Sequence, residues 1–91
     1  MKLELRFFAN YREAVGQKTV EAEYPHDYDV GDLLHALEAE YDLEGELVED
    51  GTVRPQVNIL LNGRNVLHEE GLATELVDGD VVSVFPPVAG G

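Results

Sequence analysis

The residues best suited to chemistry form the C-terminal stretch of the sequence, Phe85, Pro86, Pro87, Val88, Ala89, Gly90 and Gly91. Two consecutive prolines fix φ and favour an extended backbone. Glycines without Cβ atoms can pass through a channel one backbone wide, so the pattern predicts that the Gly91 carboxylate is presented to another protein's active site. At about 3.3 Å per residue, 86–91 would reach about 20 Å. The alternative is an ordinary frayed terminus, where glycine is common.

The other reactive side chains of the sequence do not form a catalytic or metal-binding pattern. With no cysteine, the chain has no thiol nucleophile, disulfide or thiolate metal site, and Gly91 is the candidate for carrying sulfur from outside. The histidines are His26, His35 and His68, without metal-ligand spacing. Glu38 and Glu40 project in different directions from a helix, so they do not form an acid/base pair. We therefore expect no intrinsic catalysis, no metal and no bound cofactor.

The composition predicts one acidic domain. With 91 residues, 44% of them apolar, the chain can bury a core, and it has no membrane-spanning apolar run or signal peptide, so we expect a cytoplasmic protein. Nineteen acidic residues against 6 basic ones give a net charge of −13, which repels nucleic acids and anionic membranes. The acidity is either an adaptation to high salt, favoured by only two lysines (Lys2 and Lys18), or complementary to a basic partner.

The N-terminal half predicts a β-hairpin followed by one long helix. Alternation predicts strands over 2–9 and 18–24, joined by a helical turn that ends at Gly16. Leu3, Leu5 and Phe7 share one strand face, and Phe8 lies on the opposite face. Asp29 is the predicted cap of a helix that ends near Tyr41. Its apolar stripe comprises Val30, Leu33, Leu34, Leu37 and Tyr41, with Asp32, Glu38 and Glu40 away from it.

The C-terminal half predicts the strands that lead to the tail. Residues 42–56 form an irregular acidic connection, and a strand over 57–61 turns at Asn62-Gly63 into a short return. After an irregular segment and the turn 78–80, the last strand covers 81–85. This order predicts an α+β domain over 1–85, with one main helix across a mixed sheet, and a flexible tail over 86–91. If the last strand pairs with the first, it is central and parallel to it.

Several segments resemble the MoaD/ThiS family of sulfur carriers, including small archaeal ubiquitin-like modifier proteins. They are Phe7-Phe8-Ala9, Arg12-Glu13, Gly16, Val30-Gly31-Asp32-Leu33-Leu34, Asp78-Gly79-Asp80-Val81 and Phe85-Pro86-Pro87-Val88-Ala89-Gly90-Gly91. The resemblance covers essentially the whole chain and implies a ubiquitin-like β-grasp fold. It also implies recognition of the tail through Pro86, Pro87, Val88, Ala89 and Gly90.

The resemblance implies that the chain is a substrate of other enzymes. An E1-like enzyme would use ATP and Mg²⁺ to adenylate Gly91, and a sulfur donor would then convert it to a thiocarboxylate. A MoaD-like small subunit of molybdopterin synthase, joined to the large subunit, would donate this sulfur for molybdenum cofactor biosynthesis. Alternatively, a protein modifier would form an isopeptide bond with a target lysine, and both uses can coexist. A non-covalent interaction domain is the third hypothesis.

The resemblance also implies a partner-binding patch of Phe8, Leu61 and Phe85. The strand alternation agrees for Phe8 and Phe85, because their neighbours occupy the inward positions. For Leu61 it is ambiguous, since the run 57–61 carries apolar residues on both faces. The alternative is that these are core residues or isolated surface apolar residues.

Overall fold

The computed structural model describes residues 1–86. Its strands are β1 (Lys2–Phe7), β2 (Thr19–Glu23), β3 (Val48–Glu49), β4 (Thr52–Val53), β5 (Asn58–Leu61), β6 (Arg64–Asn65) and β7 (Val81–Phe85). Its α-helices are α1 (Asn10–Val15) and α2 (Val30–Glu40), with 3₁₀ turns at Val66–His68 and Gly71–Ala73. The predicted positions Pro87, Val88, Ala89, Gly90 and Gly91 lie outside the described residues.

The main sheet has the strand order β2-β1-β7-β5-β6 and is mixed. Strands β1 and β2 are antiparallel, as predicted from their alternation. Strand β7 is parallel to β1, with Val84 beside Phe7, and antiparallel to β5, with Asn58 opposite Phe85. The prediction of a central last strand, parallel to the first, is confirmed. The residues that precede Pro86 are therefore held from both sides.

The two faces of this sheet differ in polarity. Apolar side chains at alternate positions of β1, β5 and β7 pack with α2 into one core, and we call this side the inner face. Its fully buried members include Leu3, Leu5, Phe7, Ile59, Val82 and Val84 on the strands and Leu33, Leu34 and Leu37 on the helix. The opposite side, which we call the outer face, carries Arg6, Ser83 and Phe85 among others. The α+β arrangement with one main helix across a mixed sheet is confirmed.

Helix α2 begins as the sequence predicts. The Asp32 backbone N–H donates to Asp29 Oδ1 at 2.8 Å, and the Asp29 N–H donates to Asp32 Oδ2 at 3.1 Å. These reciprocal bonds satisfy two amide groups near the helix N-terminus. Tyr41 is the C-terminal cap, and its N–H donates to the Leu37 carbonyl at 3.0 Å. Asp32 is exposed, as expected from the helical periodicity.

The predicted solvent-facing position of Glu38 is wrong. Glu38 is only 6% exposed, and its Oε2 accepts hydrogen bonds from the backbone N–H groups of Leu47 and Val48, both at 3.0 Å. These amide groups need an acceptor because the loop that carries them is packed against the helix. Helical periodicity alone assigns a carboxylate to water, so it misses a carboxylate that is used as an acceptor for a neighbouring loop.

The connection over 42–56 is more regular than the sequence predicts. It contains the hairpin β3–β4, in which Val48 lies opposite Val53. Asp50 and Gly51 form its turn with φ values of 53° and 76°, the left-handed conformation that Asp-Gly tolerates. Each strand has two residues, too few to produce a recognisable alternation. Leu47 is fully buried, so it anchors this connection to the core.

The start of β7 is fixed by side chains from two turns. Asn62 Nδ2 donates to Asp80 Oδ1 at 2.9 Å, while the Val81 N–H donates to Asn62 Oδ1 at 2.9 Å. Asp80 Oδ2 also accepts from the Val77 N–H at 2.8 Å. Both predicted turns, 62–63 and 78–80, are confirmed, and together they set the register of the strand that leads to Pro86. Among residues 1–86 there is no helix with the length and apolarity needed to span a membrane.

Candidate functional site

The aromatic residues Phe8 and Phe85 lie together where β1 and β7 end. Because these strands are parallel neighbours, both residues emerge at the same end of the sheet. Their rings stack with centroids 4.1 Å apart and an angle of 8° between the ring planes. The Phe8 N–H donates to the Val84 carbonyl at 3.2 Å, so the backbone fixes one ring beside the other. Both side chains are partly exposed, which leaves an aromatic surface at the strand end.

Arg12 places a positive charge beside this aromatic pair. Its guanidinium carbon lies 5.8 Å from the centre of the Phe8 ring, within the range of a cation–π contact. Arg12 Nε donates to the Phe7 carbonyl at 3.3 Å, which anchors the side chain to the end of β1. Helix α1 carries Arg12 and ends at Gly16, whose φ of 85° permits the sharp turn towards β2. Phenylalanine and arginine are both enriched at protein–protein interfaces relative to the rest of the surface.

Leu60 and Pro86 extend the aromatic surface towards β5. With Asn58 and Phe85 they line an open cavity of about 310 Å³ on the outer face. Asn58 lies opposite Phe85 in the β5–β7 register, and its Nδ2 donates to the Pro86 carbonyl at 3.3 Å. We call Phe8, Leu60, Phe85 and Pro86 the outer apolar surface. The outer apolar surface includes Pro86, the last residue that the structure describes.

The structure brings Phe8 and Phe85 together, but it does not bring Leu61 to the same surface. Leu61 lies opposite the buried Val82 and packs against the core cluster of the inner face. Leu60, which is not part of the predicted patch, pairs with Ser83 on the outer face instead. The pairing register with β7 distinguishes these neighbours, and a run of apolar residues does not reveal it. A role of Phe8, Leu61 and Phe85 in partner binding stays a prediction.

The four residues of the outer apolar surface have no titratable side chain, and the tyrosine whose pKa is raised to about 12 lies elsewhere in the molecule. Residues 1–86 contain no group of three His, Asp or Glu side chains arranged to hold a metal ion. Burial raises the pKa of the Tyr24 phenol to about 12, with smaller contributions from the nearby Glu40, Tyr41 and Tyr28. The Tyr24 backbone N–H donates to the Met1 carbonyl at 2.9 Å, just before β1 and at the opposite end of that strand from Phe8. The raised pKa of Tyr24 therefore belongs to a region away from the outer apolar surface.

Known proteins share this sequence and fold over nearly their full lengths. Small archaeal modifier protein 3 of Haloferax volcanii is 63% identical, with 100% of both chains covered. Sulfur carrier protein CysO of Mycobacterium tuberculosis is 39% identical over 84% of this chain and 83% of its own. The crystal structure of small archaeal modifier protein 1 from H. volcanii covers 100% of both chains at 33% identity, with a TM-score of 0.81.

A further similar structure was determined as a complex. The complex of subunits 1 and 2 of the molybdopterin-converting factor from Helicobacter pylori contains a chain that matches this one with a TM-score of 0.66 and 28% identity. The match covers 100% of both chains. In that protein, the similar chain is therefore paired with a second protein subunit.

The mixed sheet, the crossing helix and these structural matches define a ubiquitin-like β-grasp protein. Within that class, the sequence profile of the ThiS family matches residues 5–91, and the chain belongs to this family. Its relatives are small protein modifiers and sulfur carriers. The chain is thus a ubiquitin-like protein of the modifier and sulfur-carrier class.

Proposed function

We propose that this chain delivers an activated C-terminal carboxyl group, with Gly91 as the residue that is activated. In the first use, an E1-like enzyme adenylates Gly91 with ATP and Mg²⁺ in the cytoplasm, and the chain then carries sulfur as a MoaD-like small subunit of molybdopterin synthase. The observation that carries the proposal is the stacked Phe8–Phe85 pair at the strand end that leads into Pro86. The chain is the substrate, and its partners perform the catalysis.

The chemistry explains why a partner enzyme is needed. A carboxylate is a poor electrophile because its oxygen is a poor leaving group. Attack of the Gly91 carboxylate on the α-phosphorus of ATP would release pyrophosphate and form an acyl adenylate, whose AMP leaves readily. The outer sulfur of a donor persulfide would then displace AMP to form an acyl disulfide, and a thiol reductant would break its S–S bond, leaving one sulfur on Gly91. The product is a Gly91 thiocarboxylate, whose sulfur passes to a pterin precursor in molybdenum cofactor biosynthesis.

The outer apolar surface is suited to docking the partners of this reaction. Partly exposed aromatic rings bind with little loss of conformational freedom, because Phe8 and Phe85 are already stacked and fixed by the ends of two strands. Arg12 can pair with a partner's carboxylate at the rim of the surface. The paired subunits of the H. pylori molybdopterin-converting factor support a large synthase subunit as one partner. The E1-like enzyme is the other, and the two would bind in turn.

Protein modification is the second candidate, and one observation favours it. The relative with 63% identity over the full length of both chains is named as a small archaeal modifier protein. In this use, the amine of a target lysine would attack the Gly91 acyl adenylate, release AMP and lose a proton to leave an isopeptide bond. Activation is common to both uses, which diverge only at the acceptor, so both can occur in one cell.

Mass spectrometry of the chain and its conjugates, isolated from the native cells, tests both uses. Exchange of one oxygen for sulfur at Gly91 is expected for the carrier, and Gly-Gly remnants on target lysines are expected for the modifier. A variant without Gly90 and Gly91 should fold and bind partners but show neither product. If wild-type protein shows neither product and the deletion leaves its cellular function intact, the proposal is wrong and a non-covalent interaction domain is favoured.

A further inference from the structure

Asn58 departs from the pattern of the strand that contains it. Strand β5 is otherwise apolar, and Asn is depleted in strands because its amide competes with the backbone ladder. Asn58 is the first residue of β5 and lies on the outer face opposite Phe85. An apolar residue at this position would extend the outer apolar surface. A residue that breaks a local preference points to a compensating contact.

The compensating contact is with Pro86. Proline has no N–H, and the sequence places another proline at position 87, so the backbone cannot donate hydrogen bonds to β5 at either position. The Pro86 carbonyl remains available as an acceptor. Asn58 Nδ2 donates to it at 3.3 Å, and this side-chain bond continues the attachment of the chain to β5 one residue beyond β7.

We infer that Asn58 is a positioning residue for the C-terminal segment, which it holds at Pro86 so that the chain leaves the sheet beside Leu60 and Phe85. This inference rests on the proposed function, since positioning matters when Gly91 must enter a partner's active site. A segment that leaves the sheet in a fixed direction loses less conformational freedom when it enters that site. The bond between Asn58 and Pro86 is partly buried.

The test compares Asn58→Ala and Ser83→Ala in adenylation by an E1-like enzyme from the native organism. Asn58→Ala removes the donor and adds no charge to the surface. Ser83→Ala is the matched control, because Ser83 lies on the same face beside Leu60 and has no side-chain bond to Pro86. ATP–pyrophosphate exchange gives kcat and KM for each variant, and thermal unfolding reports on stability.

If Asn58 positions the C-terminal segment, its replacement should lower kcat and leave KM nearly unchanged. The side chains of the outer apolar surface are unchanged in Asn58→Ala, so KM should stay within about twofold, while kcat falls about threefold to tenfold, as expected for one lost hydrogen bond. Ser83→Ala should match the wild type in both. Asn58→Gln keeps an amide donor and should recover at least half of the lost kcat. If Asn58→Ala is unstable, comparison of Asn58→Gln with Asn58→Leu, which keeps the size of the side chain but has no donor, decides in its place.

A second measurement needs no enzyme. In isotopically labelled wild-type protein, a nuclear Overhauser effect between the Asn58 side-chain amide protons and the Pro86 protons is expected by NMR. If this effect is absent, or if kcat of Asn58→Ala equals that of the wild type, the inference is overturned and the proposed function stands. If the wild-type chain is not adenylated at all, both the inference and the proposed function are wrong.

Discussion

The rings of Phe8 and Phe85 are stacked, 4.1 Å apart, although the two residues lie at opposite ends of the described sequence. Parallel pairing of β1 with β7 brings them together, and neither strand alone would form the surface. Offset or parallel stacking adds about 0.5–1.5 kcal/mol to the free energy of burial of such a pair. The candidate docking surface is therefore a product of the complete sheet.

Replacement of Phe8 by aspartate should prevent docking while the chain remains folded. The variant puts a charge where apolar contact is expected, so kcat/KM for adenylation by the E1-like enzyme should fall at least about thirtyfold. Phe8 is partly exposed, so the free energy of unfolding should fall by no more than about 1.5 kcal/mol, the value of the aromatic stack. Steady-state kinetics and denaturant unfolding measure the two effects.

Val77→Asp is the matched control for this prediction. Val77 is 63% exposed and precedes the first residue of β7, whereas Phe85 is the last residue of that strand. The two residues therefore lie at opposite ends of β7. The charge introduced is the same, but adenylation should be unchanged. Equal losses in Phe8→Asp and Val77→Asp would indicate general charge repulsion, and unchanged kinetics in Phe8→Asp would remove this residue from the docking surface.

Leu60 and Leu61 should behave differently although they are adjacent. Leu61→Ala removes a side chain that packs against the core and should lower the free energy of unfolding by about 1–3 kcal/mol. Leu60→Ala should lower it by less than about 1 kcal/mol but reduce kcat/KM for adenylation about threefold or more, because Leu60 lines the outer cavity. The same unfolding and kinetic measurements apply, and the reverse assignment of effects would show that Leu61 belongs to the docking surface.

Glu38 should contribute to stability through the loop that it holds. Glu38→Ala leaves the buried Leu47 N–H and the Val48 N–H without their acceptor and should lower the free energy of unfolding by about 2–4 kcal/mol. Glu38→Gln keeps an amide oxygen as acceptor and should cost about 1 kcal/mol. The exposed Glu40→Ala is the control and should change stability by less than about 0.5 kcal/mol. Urea unfolding distinguishes the three, and equal values for both alanine variants would contradict this role of Glu38.

Tyr24 should make stability depend on pH in the alkaline range. Its pKa in the folded chain, about 12, lies above the ordinary value of 10.0, because burial disfavours the charged phenolate. The folded chain therefore holds the phenol proton more tightly than the unfolded chain. This contribution is fully present below about pH 10 and is lost as the pH rises towards 12.

Ultraviolet titration of tyrosinate and unfolding at several pH values test the prediction for Tyr24. The Tyr24→Phe variant should lose the titration phase near pH 12, and its stability should decrease less between pH 10 and 12 than that of the wild type. A wild-type chain whose tyrosines have all titrated by pH 10.5 would contradict the raised pKa.

The sequence was sufficient for features that depend on local patterns. The alternation in β1, the cap at Asp29, the turn at 62–63 and the bounds of β7 all follow from short-range preferences. The central position of β7 was predicted on the condition that this strand pairs with β1, and the structure meets that condition. These features place Phe8 and Phe85 correctly at one end of the sheet.

The features that the sequence analysis missed depend on contacts between distant segments. Glu38 is buried because a loop nine residues later needs its carboxylate, and no property of the helix pattern reveals that need. Leu60 and Leu61 exchange roles because the register with β7 decides which one faces outward. The amide of Asn58 was overlooked because its partner is a carbonyl group 28 residues later. Each of these relationships is fixed only by the assembled fold.

The pairing of Glu4 with Val81 spans nearly the whole described chain and has a consequence for biosynthesis. Pairing of β1 with β7 closes a loop of nearly the whole chain. This folding step is slow because the loop loses conformational entropy before the strand contacts form. The ribosome must therefore synthesise Val81–Phe85 before this strand can pair with both β1 and β5 in the sheet. Nascent chains that have not reached this strand lack the surface on which activation is proposed to depend, so they would not be admitted to the activating enzyme.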